Sequence, residues 1–260
     1  MDNRASGVTA GVSRGLPVGD DVHVWHGLIA EPPGETSQHA GAEAELAVLS
    51  GGERARSQRF LRPADRWQFV AAHAAVRRVL GSYVGADPAA VRMGRTPCCR
   101  CGSTEHGRPR IEWPATPLDY NFSGSGRHWV LAVAQGRPVG VDVEVRRGID
   151  VVQMSQTCLT GSERSYLTGQ PAVEQLGVFF RCWTRKEAVL KACGVGLAST
   201  LSSLEVEPQR RPAVRVRHAS GTCPDAWLVQ DLPGGPDWSA AVAQPASHSG
   251  TVVVREYAPS

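Results

Sequence analysis

The apolar positions of this chain change their period from segment to segment, and each change marks an element. DVHVWHGLIA (21–30) alternates and is rich in β-branched residues, which predicts a first strand. After the loop EPPGETSQHAG, AEAELAVLS opens a helical stretch. The segment that follows carries Phe69, Ala72, Val76, Val79 and Leu80 on one helical face. Pro63-Ala-Asp predicts a helix start, and Gly81 and Gly85 an end. Strand-like runs come next at 110–113, 120–123, 128–134 and 139–145. A helix-rich region over 154–193 then precedes strands near 204–207, 213–217, 227–230, 238–243 and 251–257. Each half is helix-rich first and strand-rich later. The pattern therefore predicts an α+β fold of two similar halves packed pseudo-symmetrically in one chain. The expected divisions are a polar, aperiodic tail over 1–20, an N-terminal half over 21–135 and a C-terminal half over 136–260. No clean sequence repeat accompanies this similarity of plan.

Composition narrows the class of protein. At 260 residues, 42% hydrophobic and 20% charged, the chain can bury a sizeable core. A formal net charge of +3 does not announce a nucleic-acid protein. No apolar run reaches the ~18–20 residues that span a bilayer, and the N-terminus lacks the apolar segment of a signal peptide. The expectation is a cytoplasmic protein without membrane contact. The seven Cys are an odd number, with Cys98, Cys99 and Cys101 crowded together, which points to reduced thiols rather than a disulfide framework. Cys98-x-x-Cys101 has the spacing of half a zinc site, which Cys99 or His106 would have to complete; a reduced loop is the simpler reading.

Of the 28 basic residues only two are Lys, Lys186 and Lys191, and both lie beside Glu187 in WTRKEAVLKACG. Against so strong a bias toward Arg, their survival suggests that this segment needs compact ammonium groups.

Three further patterns carry candidate chemistry. In the run VGVDVEV, Asp142 and Glu144 are two residues apart, so a strand points both carboxylates to one side, about 6–7 Å apart. They read either as solvated acids on an exposed face or as carboxylates sharing a cation. On the following helix, Trp183, Glu187 and Lys191 fall on one stripe. Glu187 and Lys191 read as a surface ion pair, or, given Trp183, as part of a half-buried site. Asn121-Phe-Ser-Gly-Ser-Gly126 offers small residues whose backbone N–H groups admit a phosphate, and Arg108 sits in a Gly-Arg-Pro turn. Seven Arg over 54–78, against Glu53 and Asp65, form either a solvated helix face or a surface for an anionic partner.

In order along the chain, HGRPRI, YNFSGSG, VGVDVE and FFRCWTRKEAVLKACGVGL resemble the signature of the 4'-phosphopantetheinyl transferases, and most closely their larger, surfactin-type (Sfp-type) class. The resemblance covers roughly residues 20–255 and implies two α+β halves with the active site at their junction in a monomer. It implies transfer of the 4'-phosphopantetheine group of coenzyme A to a serine of an apo acyl or peptidyl carrier protein. That is an activity of the holo-[acyl-carrier-protein] synthase type, with adenosine 3',5'-bisphosphate released. Mg²⁺, with Mn²⁺ as an alternative, would be held by Asp142, Glu144 and Glu187, a set of hard oxygen donors.

The resemblance further puts Glu187, Lys191 and Asp142 at the catalytic centre. It places Arg56, Arg59, Arg108, Ser123, Lys186 and Lys191 against coenzyme A. The serine proton would pass to Glu187, Lys191 or a metal-bound water. Relatives usually read N-x-S-H-S-G, and the His of that motif contacts a phosphate of coenzyme A; here the position is Gly124, with His128 as a candidate substitute. The rival reading from another class is a zinc-knuckle, Arg-rich nucleic-acid-binding module, against which the small net charge and the lack of a base-stacking aromatic motif count. A relative that binds coenzyme A or a carrier without turnover is a third, and the retained acids and lysines speak against it.

Overall fold

The computed structural model describes residues 15–17, 19–31, 38–98, 101–104, 107–195, 201–218, 224–248 and 250–258. Among these residues ten strands and six α-helices follow one another as β1 (Val22–Leu28), α1 (Gln38–Val48), α2 (Gly51–Ser57), α3 (Pro63–Val84), β2 (Arg92–Arg95), β3 (Pro109–Trp113), β4 (Leu118–Ser125), β5 (His128–Gln135), β6 (Gly140–Val145), α4 (Val151–Cys158), α5 (Gly161–Thr168), α6 (Ala172–Cys193), β7 (Ala213–Arg217), β8 (Ala226–Asp231), β9 (Trp238–Pro245) and β10 (Val252–Glu256). The strands form a six-stranded sheet, β10-β1-β5-β4-β3-β2, and a four-stranded sheet, β6-β9-β8-β7.

Strand alternation dictates four layers. Val22, Val24, Val130, Ala132 and Ala134 of the first sheet meet Val141, Val143, Ala240 and Val242 of the second in one core between the sheets. The opposite face of the first sheet, with Trp25, Trp129, Leu131 and Val133, packs under Ala72, Val76, Val79 and Leu80 of α3. The opposite face of the second sheet, with Trp227, Val229, Ala241 and Ala243, packs on α6. The fold is thus α+β, with one long helix outside each sheet.

The local sequence explains the helix limits. Ser50 and Glu53 form a reciprocal cap on α2, and Glu53 also pairs with Arg77 of α3 at 2.6 Å. α2 and α3 are separate helices, and the second starts at Pro63 as Pro63-Ala-Asp predicts. Arg62 precedes Pro63 and is extended (φ −93°, ψ 128°), as the residue before a proline prefers to be, so α3 starts anew at Pro63. α6 ends at Gly194, whose φ of 72° lies in the left-handed region.

Two expectations need correction, and one strand was missed. Residues 204–207 are not a strand: Val206 N–H donates to Glu163 Oε1 (2.8 Å), and the Val206 and Glu207 carbonyls accept from Arg185, so side chains take the place of a partner strand. β2 was not foreseen. The last strand leaves the C-terminal half, because β10 pairs in parallel with β1 at the edge of the first sheet. At the other end, Asp20 of the expected tail accepts from His248 Nδ1 at 2.9 Å.

Gly140 fixes how closely α6 lies on β6. A Cβ there would stand 2.0 Å from the Ala188 carbonyl oxygen and 2.5 Å from the Ala192 nitrogen, both backbone atoms that cannot swing aside. Gly140→Ala is expected to cost about 1–3 kcal/mol as α6 is pushed outward, measured as a lower denaturation midpoint. An unchanged midpoint would show that the helix has room to yield.

Candidate active site

The first and second sheets meet along β4 and β6, and side chains do the joining. β6 is an edge strand of its sheet, and its outward N–H groups at Val141 and Val145 donate to Asn121 Oδ1 (3.2 Å) and Ser125 Oγ (3.1 Å) of β4. The same face of β4 reaches the β6 carboxylates. Ser123 Oγ donates to Asp142 Oδ1 (2.9 Å) and Ser125 Oγ to Glu144 Oε2 (2.7 Å). From α6, Lys191 Nζ donates to Asp142 Oδ1 (2.6 Å) and Ser123 Oγ (2.8 Å).

Asp142 is therefore no solvated surface acid: it is 3% exposed. Its Oδ2, together with Glu187 Oε1, is buried without a hydrogen-bond partner. Burial raises the Asp142 carboxyl, Glu144 adds to the rise, and Lys191 and Ser123 oppose it. Glu187 is pushed up to about 7, first by burial, then by the charges of Asp142 and Glu144. Asp142 and Glu187, each with an orphaned oxygen, share a single lysine with Glu144 and form an electrostatic environment that accepts a hard cation. Glu144 is engaged elsewhere, by Ser125 and by Arg147 at 3.8 Å. Among the described residues no group of three His, Cys, Asp or Glu side chains is placed to hold a metal ion.

Glu187 and Lys191 open onto a cleft of about 970 Å³ that runs between α6 and the α2–α3 and β4 walls. Its cationic lining is Arg56, Arg77, Arg95 and Lys191, and its aromatic lining is Phe69, His73, Tyr120 and Phe122. Arg56 lies over the Phe69 ring at 5.3 Å, which leaves it at the wall. Arg77 is consumed by Glu53 and by the Pro88 and Val91 carbonyls.

The structure thus brings together Asp142, Ser123, Glu187 and Lys191, with Glu144 beside them and Arg56 across the cleft. It does not bring Arg59, an exposed residue off the cleft lining. Arg108 lies against Gly194, while its neighbours Gly107 and Pro109 face the cleft.

Lys186 is a correction. It is 0% exposed, its ammonium sits 2.6 Å from Glu163 Oε2, and it donates to the Cys158 (2.9 Å) and Leu201 (2.8 Å) carbonyls. All three of its donors are spent inside the protein, so it does not contact a ligand in the cleft. His128 does not substitute for a side chain at Gly124 either. Its ring stacks on Trp238 (5.0 Å) and its Nδ1 lies 3.1 Å from His26 Nε2.

The Arg-rich segment does not form a continuous basic face. Arg77 and Arg78 pair with Glu53 and Glu45, and Arg54 donates to the Leu49 carbonyl. Of the zinc candidates, Cys99 and His106 lie outside the described residues; Cys98 is buried, Cys101 exposed, and Cys98 N–H donates to the Ser103 carbonyl at 2.8 Å. Sequence reasoning missed His73, whose signal was its place one helical turn after Phe69.

The sequence is similar to that of known proteins. The sequence model of the 4'-phosphopantetheinyl transferase superfamily matches residues 138–243, the span that holds β6 and α6. The 4'-phosphopantetheinyl transferase HetI of Nostoc sp. is 29% identical over 86% of this chain and 87% of its own length. The 4'-phosphopantetheinyl transferase Sfp of Bacillus subtilis is 27% identical over 63% of this chain and 68% of its own. The 4'-phosphopantetheinyl transferase psf-1 of Bacillus pumilus is 37% identical over 38% of this chain and 41% of its own. In the span that carries the acid-bearing strand and the helix with Glu187 and Lys191, the chain is similar to the 4'-phosphopantetheinyl transferase superfamily, Sfp-like members among them.

Proposed function

We propose that this protein transfers the 4'-phosphopantetheine group of coenzyme A to a serine of an apo acyl or peptidyl carrier protein. The serine oxygen forms a bond to the β-phosphorus of the pyrophosphate as its proton passes to Glu187, Lys191 or a water. The bond from that phosphorus to the bridging oxygen breaks, and adenosine 3',5'-bisphosphate leaves. The observation that carries this reading is the pair of orphaned buried oxygens, Asp142 Oδ2 and Glu187 Oε1, the second on a residue that lines a cleft with basic walls.

Those two oxygens, with Glu144 adjacent, would hold Mg²⁺ or Mn²⁺. Bound there, such a cation neutralises charge on the pyrophosphate and on the leaving phosphate. The protein's own groups do the positioning. Ser123 and Lys191 fix Asp142 by its Oδ1 and so leave Oδ2 turned away from them. Lys191 lines the cleft and places an ammonium where a phosphate would lie. Arg56 supplies a second cation from the far wall, and the enclosing walls orient the ligand for in-line attack. The site is built from one chain, which supports a monomer. No helix among the described residues is long and apolar enough to cross a membrane, and a cytoplasmic enzyme fits that and the thiol-rich composition.

Mass spectrometry of apo carrier proteins incubated with the protein, coenzyme A and Mg²⁺ tests the reaction. A gain of the phosphopantetheine mass, abolished by a chelator, is expected. Failure to modify apo carriers of the fatty-acid, polyketide and peptide types alike would overturn it. Gly124→His is expected to keep or raise the rate, since a Cβ there meets nothing nearer than 3.7 Å; a severe loss in the same assay would show that the turn cannot admit a side chain.

A further inference from the structure

One imidazole in the cleft has no part in the mechanism above. The ring of His73 stacks on Phe69 (centroids 3.8 Å) and meets Phe122 edge-on at 5.2 Å. Its Nδ1 lies 2.8 Å from the Phe69 carbonyl oxygen. A carbonyl only accepts, so Nδ1 carries the proton and Nε2 is the nitrogen that titrates. The charged groups around it are Glu53 and Arg56 from α2 and Arg77 from α3, with Arg95, Glu187 and Lys191 on the other walls of the cleft. Burial, then the two nearby Arg, hold the imidazole below its ordinary value, against the Phe69 carbonyl and Glu53. In the ligand-free protein it is therefore neutral near pH 7. A polyanion entering the cleft reverses that balance.

The alternation of β4 locates this ring. Asn121, Ser123 and Ser125 bond toward β6, so Tyr120, Phe122 and Gly124 look the other way, toward α3. Position 124 has no side chain, and the tip of the Phe122 ring lies 3.8 Å from where its Cβ would be. His73 approaches that same Phe122 ring from the facing helix.

We infer that His73 is a phosphate-binding residue of this cleft, which takes up a proton at Nε2 as the ligand arrives and donates a charge-assisted hydrogen bond to a phosphate oxygen. It fills from α3 a role for which Gly124 has no side chain. The inference rests on the coenzyme A reading, and its test separates the two.

Calorimetric titration of the intact protein with coenzyme A and Mg²⁺, near neutral pH in buffers of different ionisation enthalpy, counts the protons taken up on binding. The wild type is expected to take up a large fraction of one proton more than a His73 variant, a difference that cancels whatever Glu187 releases as the cation binds. His73→Asn keeps an amide N–H at the Nδ1 position for the Phe69 carbonyl and has no donor at the Nε2 position. It is expected to lose that uptake and to bind about tenfold more weakly. Adding Gly124→His to it should restore part of the affinity. His73→Ala is the second variant should the asparagine disturb α3. Wild-type binding with the same affinity and proton uptake in the His73 variants would overturn the role of His73 alone. Failure of the wild type to bind coenzyme A at all would overturn the functional reading, and this role with it.

Discussion

Glu187→Gln will lower the rate of phosphopantetheine transfer by about 10³-fold or more and at the same time make the chelator-treated protein more stable above neutral pH. The two effects share one cause. Glu187 Oε1 is buried without a partner, next to Asp142 and Glu144. An acidic cluster built to meet a cation is useful with it and repulsive without it. In the metal-free protein the folded-state value is about 7, against 4.5 for the ordinary carboxyl. Between those values the folded state holds more protons than the unfolded chain, so the Glu187 contribution to stability declines as pH rises through the window and is fully lost above it. The neutral amide removes that penalty, worth about 1–3 kcal/mol, or a few degrees in Tm above pH 7. Thermal unfolding of both proteins in chelator at acidic and alkaline pH, beside the transfer assay, checks this. A variant that is inactive and also less stable at high pH would mean that Glu187 holds the fold together rather than a ligand.

Lys186→Met will unfold the protein at a temperature about 10 °C lower, and in the cold the surviving folded protein will bind coenzyme A as the wild type does. Lys186 and Glu163 are both 0% exposed. Glu163 already caps α5 through Thr160 N–H (2.9 Å) and accepts from Val206 N–H (2.8 Å), and Lys186 ties the ends of α4 and of the 201–203 turn to α6. Removing the cation alone leaves an uncompensated buried carboxylate, at a cost of about 3–5 kcal/mol. Lys186→Met combined with Glu163→Gln should recover much of the loss. A wild-type Tm together with weakened coenzyme A binding would restore Lys186 to the phosphate site.

The contrast between the two lysines shows where the sequence could be read and where it could not. Period 2 put Asp142 and Glu144 on one side of a strand, and period 3.6 put Glu187 and Lys191 on one stripe of a helix, because each of these elements presents distinct faces to different layers. The same helical period sets Lys186 and Lys191, five residues apart, roughly 140° from each other. Their shared rarity in the composition suggested a common role that the geometry of the helix denies. β10 was legible as a strand but not in its pairing, since parallel addition to β1 spans almost the whole chain. Leu204 and Val206 alternate as a strand would, yet their segment is served by Arg185 and Glu163, side chains more than fifteen residues away in sequence. His73 escaped notice because a lone histidine on an apolar helix face gives no sign of the cleft beneath it.

Electron paramagnetic resonance titration of Mn²⁺ in the presence of coenzyme A tests most directly whether the orphaned oxygens of Asp142 and Glu187 form a cation site. One ion bound per chain in the wild type, with binding lost in Asp142→Asn and in Glu187→Gln while both remain folded, is the predicted result. Equal Mn²⁺ binding in all three proteins would contradict it.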